Sequence, residues 1–171
     1  ASKPERSNGK NKELDNEVVE LGYELVNFIN KSPVSFFAIY NVKELLLSNG
    51  YKELFENKPC DIKLGDKVFF IRNGSSIIAL DIGEEINKDN FSYHIIASHS
   101  DSPCFKIKPE CDSKSDIYNR INVDVYGGII PSTWLDRTLS MAGRVFIKNE
   151  NGFGSRLVNL SNHKVMIPNL C

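Results

Sequence analysis

The 171-residue sequence is short of the features that mark a special partner or compartment. It has no charge excess: 21 Lys plus Arg stand against 22 Asp plus Glu, a formal net charge of −1. Without a net basic field, binding to nucleic acid or to an anionic membrane surface loses its simplest physical support. It has no long apolar run; Phe36 to Tyr40 and Ser76 to Leu80 are far too short to span a bilayer. Its opening, ASKPERSNGKNKELDNE, lacks the apolar stretch of a secretory signal. Cys60, Cys104, Cys111 and Cys171 form no C-x-x-C pair, which excludes a zinc-ribbon spacing, and a disulfide framework is not expected without a secretory route. No G-x-x-x-x-G-K-[ST] phosphate loop is present, and no internal repeat. The expectation is a soluble cytoplasmic protein with neither nucleic-acid nor membrane partners.

What is present is ordinary globular composition, 41% hydrophobic and 25% charged, which argues against wholesale disorder. Residues 1–12 are polar, with Pro4 and Gly9 and no large apolar residue, and read as a mobile tail. From Glu13, Leu14, Val18, Leu21, Leu25, Phe28 and Ile29 recur at three- and four-residue steps, predicting an amphipathic helix that Ser32-Pro33 ends. A second helix is predicted from about Ser35, stopped by Asn49-Gly50. Lys67–Arg72 and Ser76–Ile82 around Asn73-Gly74 read as a β-hairpin. Tyr93–Ser98 reads as a short strand of a sheet interior. Glu110 to Arg120 is polar and loop-like, a candidate boundary. Beyond it, Ile121–Tyr126, Ala142–Ile147, Arg156–Leu160 and Lys164–Ile167 are strand-like, so the last third reads as a β-rich module.

Three histidines carry most of the candidate chemistry. His94 lies inside the apolar segment and reads as structural; His163 reads as an exposed turn residue. His99 falls at the carboxyl end of the expected strand, where open α/β sheets place ligands and catalytic groups. Asp101 follows two residues later, so an extended backbone puts both side chains on one side. Such a pair suits metal binding through the imidazole with the carboxylate orienting it, and equally suits a hydrogen-bonded loop pair. Cys104 with His99 is a rival thiol–base arrangement, with Lys106 and Lys108 as nearby cations; it requires a lowered thiol pKa and lacks a third orienting group. In Tyr126-Gly127-Gly128-Ile-Ile-Pro131-Ser-Thr-Trp134-Leu-Asp136-Arg137 the glycines permit positive φ or close backbone approach. The stretch reads as a tight turn with an aromatic anchor and a possible Asp136–Arg137 ion pair.

Two blocks taken in series carry a family resemblance. Ala97-Ser-His99-Ser-Asp101-Ser-Pro103-Cys104 with Lys106-Ile-Lys-Pro109 resembles the first metal-binding motif of the M18, or aspartyl aminopeptidase-like, metalloaminopeptidases. Val123-Asp-Val-Tyr126-Gly-Gly128, Ser132-Thr-Trp134-Leu-Asp136-Arg137-Thr-Leu139 and Ala142-Gly-Arg-Val145 are similar to that family's second block in order and spacing. The likeness runs from about Glu13 to Cys171.

The resemblance implies a zinc-dependent exopeptidase acting on peptide substrates, removing amino-terminal residues, acidic ones in many members. It implies two zinc ions that polarise the peptide carbonyl and activate water. His99 matches a metal ligand and Asp101 the catalytic carboxylate that supports it. The implied fold class is α/β: the amino-terminal part of a zinc-exopeptidase domain over residues 13–112, then the start of a β-rich inserted dimerisation domain over 113–171, in a homo-oligomer. In some members a histidine in the motif matching Ile167-Pro168-Asn169-Leu170 reaches a neighbouring subunit; here that position is Asn169. The family's remaining ligands come from later segments. The chain is therefore expected to be an amino-terminal fragment, inactive without the carboxy-terminal half; the alternative is a non-catalytic assembly module.

Overall fold

The structure is a computed structural model, and it describes residues 8–86, 89, 92–114, 117–150 and 152–169. Helix α1 spans Asn8–Lys31 and helix α2 spans Ser35–Ser48. The first helix therefore begins within the stretch expected to be a polar tail, while residues 1–7 of that stretch lie outside the described ones. It ends where Ser32-Pro33 stops it. The end of α2 is built as the sequence predicts: Gly50 takes φ +81, Tyr51 N–H donates to the Leu46 carbonyl at 3.0 Å and Gly50 N–H to the Leu47 carbonyl at 3.1 Å. This paired closure satisfies carbonyls that a helix end would leave open.

A three-stranded sheet follows, with β1 (Lys52–Glu53) parallel to β2 (Lys67–Arg72), and β2 antiparallel to β3 (Ser76–Asp81). Asn73 and Gly74 close the β2–β3 hairpin at φ +53 and +68, with Ser75 N–H on the Arg72 carbonyl at 3.1 Å. Two successive positive φ values match the right-handed twist of the flanking strands, which is why Asn-Gly suits the position. Ile39 of α2 and Val68 and Phe69 of β2 are the buried hydrophobic residues among those described. Adjacent residues of a strand face opposite sides, so burial of both Val68 and Phe69 means that β2 is covered on both faces.

Two further hairpins complete the chain. Strand β4 (Cys104–Lys114) pairs with β5 (Asn119–Tyr126), register running from Cys104↔Tyr126 to Lys114↔Asn119 with an irregularity between Ile107 and Asp112. Much of the polar stretch read as a loop is therefore strand, because Asp112, Ser113 and Lys114 find ladder partners in Ile121, Arg120 and Asn119; residues 115 and 116 lie outside the described ones. The expected boundary after residue 112 falls inside β4. Strand β6 (Ala142–Asn149) pairs with β7 (Gly152–Asn159). Lys164–Ile167 makes single bridging pairs, Leu139 with Val165 and Leu135 with Ile167, rather than a strand.

The strand expected over Tyr93–Ser98 is also absent among the described residues. Residues 92–99 are not part of any sheet, Ile96 is 98% exposed, and Tyr93 and Ile95 are exposed as well. A strand exists only with a ladder partner, and no described residue forms a β-ladder with this segment. His94, expected inside that strand, is correspondingly exposed. The apolar stripe of α1 is a helix face as predicted, but Val18, Leu21, Leu25 and Ile29 on it are exposed. The whole chain exposes 15199 Å², against about 8,500 Å² for a compact monomer of this mass by surface scaling. No helix among the described residues is long and apolar enough to cross a membrane.

Candidate functional site

The site lies where the strandless segment ending at His99 turns into β4. Three anchors hold that turn. Ser100 Oγ donates to the Ser75 carbonyl in the β2–β3 turn at 2.9 Å. Tyr126, the last residue of β5, donates its hydroxyl to Asp101 Oδ2 at 2.5 Å. Gly127 packs on Pro103: its φ is +73, and a Cβ there would lie 3.4 Å from Pro103 Cα, Cβ and Cγ. The backbone conformation favours glycine at that point, where a Cβ would meet Pro103 at contact distance, whereas Gly128 has open space where a Cβ would go.

Because Ser100 points to the turn, its neighbours on either side point away from it. His99 Nδ1 and Asp101 Oδ1 meet at 3.2 Å, the same-side placement that alternation predicts. A carboxylate only accepts hydrogen bonds, so Nδ1 carries the proton and donates. The lone pair is then on Nε2, on a side chain that is 92% exposed. The two oxygens of Asp101 are divided, Oδ1 to His99 and Oδ2 to Tyr126. The Tyr126 hydroxyl, and next His99, hold the Asp101 carboxyl below the usual carboxylate range. The same bond and the carboxylate charge push the Tyr126 phenol up. Tyr126 therefore stays protonated and acts as a donor.

The thiol–base alternative is not assembled. Cys104 opens β4 opposite Tyr126, and no hydrogen bond joins it to His99 among the described residues. Burial pushes its thiol up, with Lys106 opposing and Asp101 adding to the rise. The two lysines have other partners: Lys106 Nζ sits 3.5 Å from the centre of the Tyr126 ring, and Lys108 Nζ lies 3.0 Å from Asp124 Oδ1. Trp134 is an aromatic anchor, edge-on to Phe105 at 5.5 Å beside the short helical turn Pro131–Thr133. Asp136 does not pair with Arg137. It sits at φ +53 and its Oδ1 accepts from the Asn169 N–H at 2.9 Å. Leu170 and Cys171 lie outside the described residues. His163 is an exposed turn residue, as predicted. A shallow cleft lined by Asn30, Lys31, Phe37, Tyr40, Asn41, Leu157 and Asn159 contains no histidine, carboxylate or thiol and offers no comparable chemistry.

Tyr126 and Ser100 are the site residues that sequence reasoning did not assign. Tyr126 is 25 residues from Asp101, and only the β4–β5 register brings them together. As donors for a metal, His99 supplies an imidazole nitrogen already oriented through its other nitrogen, as metal-binding histidines generally are. Zinc takes about four donors, and no group of three His, Cys, Asp or Glu side chains exists among the described residues. The residues present thus fit one ligand position and its support.

Residues 28–171 match the family model described as "Aminopeptidase I zinc metalloprotease (M18)". The chain is 40% identical over 156 residues to a probable M18 family aminopeptidase 2 of Clostridium novyi, covering 89% of this chain and 36% of that protein. It is 37% identical over 154 residues to an aspartyl aminopeptidase of Caenorhabditis elegans, covering 90% and 33% respectively. Among solved structures, the S. cerevisiae mApe1 dodecamer superposes with a TM-score of 0.76 at 29% identity, over 88% of this chain and 36% of that one. The chain spans about a third of the length of the relatives it matches.

Proposed function

The chain belongs to the M18 family of aminopeptidases, and from that premise we propose that it carries the first metal-ligand segment of a zinc-dependent enzyme that removes amino-terminal residues from peptides. His99 is the ligand, through Nε2, and Asp101 is the carboxylate that orients it. The observation that carries this reading is the His99–Asp101 contact with the second imidazole nitrogen left open. When bound, zinc polarises the scissile carbonyl and lowers the pKa of the attacking water. This chain's own residues contribute upstream of that chemistry: Asp101 keeps the proton on Nδ1, Tyr126 keeps Asp101 in place, and Ser100 ties the segment to the β2–β3 turn.

Acidic amino-terminal residues are the proposed preference, supported by a relative named as an aspartyl aminopeptidase. A homo-oligomer is proposed on the likeness to a dodecameric relative. The proposed division keeps residues 13–112 with the catalytic domain and 113–171 with a β-rich assembly domain, in a cytoplasmic enzyme. On this reading a second zinc and the remaining ligands are supplied outside the described residues, and the 171-residue chain alone has no peptidase activity and binds zinc at most weakly.

The second reading is a non-catalytic assembly module. Calorimetric zinc titration of the chain and of its His99→Ala variant, with an aminoacyl substrate assayed in parallel, tests the metal reading. Weak zinc binding that disappears in His99→Ala is expected. Zinc binding unchanged by the substitution overturns the ligand assignment, and stoichiometric zinc with turnover overturns the inactivity of the chain alone.

A further inference from the structure

Asp101 is 38% exposed and sits on a segment with no sheet ladder of its own. The terminal torsion of an aspartate is soft, so a carboxylate held at one oxygen swings readily between a side-chain partner and water. Here the second oxygen is held by Tyr126, and Tyr126 belongs to the paired β4–β5 hairpin. It closes β5, is paired with Cys104 across the β4–β5 ladder, and has the Lys106 ammonium 3.5 Å over its ring. A cation on the ring face draws electron density from the phenol and strengthens the hydroxyl as a donor. Gly127 against Pro103 fixes the chain immediately after it.

We propose that Tyr126 is a positioning residue: by holding Asp101 Oδ2, its hydroxyl keeps Oδ1 on His99 Nδ1 and so fixes the imidazole tautomer and orientation that leave Nε2 open as a donor. The inference builds on the reading of His99 as a ligand, but its mechanism is set before any metal arrives. The phenol, raised by its carboxylate neighbour, remains a donor and takes no part as a base. Toward Tyr126, Lys106 acts through the ring face. The contacts therefore run from Lys106 to Tyr126 to Asp101 to His99.

The test is nitrogen-15 NMR of the metal-free chain, in which three histidines give three resolvable imidazoles. Tyr126→Phe keeps the ring beneath Lys106 and removes only the hydroxyl. In the wild-type chain His99 is expected in the Nδ1–H form; in Tyr126→Phe it shifts toward the Nε2–H form, while His94 and His163 keep their wild-type signals. Loss of packing alone would not single out one imidazole. A His99 tautomer unchanged in Tyr126→Phe overturns the proposal. Asp101→Asn is the second variant, because its side-chain amide can donate to Nδ1; it is expected to drive His99 to the Nε2–H form, and an unchanged His99 there also overturns it. Zinc titration separates the two readings. An unchanged tautomer in Tyr126→Phe alongside zinc binding lost in His99→Ala removes only the positioning role. A shifted tautomer alongside zinc binding indifferent to His99→Ala removes only the ligand role.

Discussion

Arg144 reaches across 71 residues of sequence to donate from Nη1 to the Asn73 carbonyl at 2.6 Å. Its guanidinium also lies over the Phe36 ring at 4.3 Å and the Phe146 ring at 5.1 Å. One side chain on β6 thereby touches the tip of the β2–β3 hairpin and the start of α2. The same hairpin tip accepts Ser100 through the Ser75 carbonyl. The turn that steadies the His99 segment is thus itself held by Arg144.

Arg144→Ala is expected to lower stability by about 0.5–1.5 kcal/mol, the net worth of a solvent-accessible hydrogen bond together with exposed aromatic contacts. Arg144→Lys restores charge but not the planar group that both donates and stacks, so it should recover only part of the loss. Urea denaturation of the three proteins checks this. Equal stability of wild type and Arg144→Ala would show that the strap contributes nothing.

Gly127→Ala should be costly because of the backbone conformation at that position. A residue with a Cβ at φ +73 loses about 1–2 kcal/mol in the left-handed region. The new methyl would meet Pro103 at 3.4 Å, contact distance, and add little to that cost. Thermal unfolding should show the loss, and displacement of Tyr126 should appear as a shift of the His99 imidazole signal. Gly128→Ala, with open space where its Cβ would go, should leave that signal in place.

The local elements were legible because their signals are local. Ser32-Pro33 ends α1, Asn49-Gly50 closes α2, and Asn73-Gly74 turns the β2–β3 hairpin, each within a few residues of the signal itself. His99 and Asp101 were legible as a pair because alternation over two residues is also local. The failures are those where a partner decides. Tyr93–Ser98 has strand composition but no ladder partner among the described residues, and Asp112–Lys114 looks like a loop until Asn119–Ile121 pairs with it. Tyr126 could not be assigned to Asp101 from spacing, since the β4–β5 register and the turn at Gly127 create the contact. The apolar stripe of α1 predicted an amphipathic helix, and periodicity says only which face is apolar and not what covers it.

The Asp101–Tyr126 bond gives a pH dependence with a defined sign. Asp101 is held below the ordinary carboxylate range, by Tyr126 first and His99 second. A carboxyl lowered on folding contributes stability that is full above its unfolded pKa and lost as pH falls through the lower folded value. In carbon-13 NMR the Asp101 carboxyl should titrate at lower pH than an unpaired aspartate, and Tyr126→Phe should move it back upward. At the alkaline end the raised Tyr126 phenol works in the opposite sense. Its contribution is full below the unfolded tyrosine pKa and is lost as pH rises through the folded value. No upward movement of Asp101 in Tyr126→Phe would mean that the hydroxyl does not govern the carboxylate.

The thiol of Cys104 lies three residues beyond Asp101, close enough in sequence to invite a nucleophilic role. The structure turns that proximity the other way. A cysteine nucleophile needs a thiolate favoured by a cation, a metal or a helix terminus. Lys106 does act in that direction, but burial outweighs it and the Asp101 charge adds to the rise. The Lys106 ammonium is also engaged on the Tyr126 ring, and His99 gives its Nδ1 to Asp101 rather than to sulfur. Cys104 should therefore react slowly with iodoacetamide at a pH of about 8, near the reference thiol pKa, and more slowly than the exposed Cys60. Mass mapping of the alkylated chain gives the order of modification. Cys104→Ser should leave zinc binding and the His99 imidazole signal as they are. Rapid alkylation of Cys104 ahead of Cys60, with the His99 signal displaced by Cys104→Ser, would restore the thiol–base pair as the chemistry of the site.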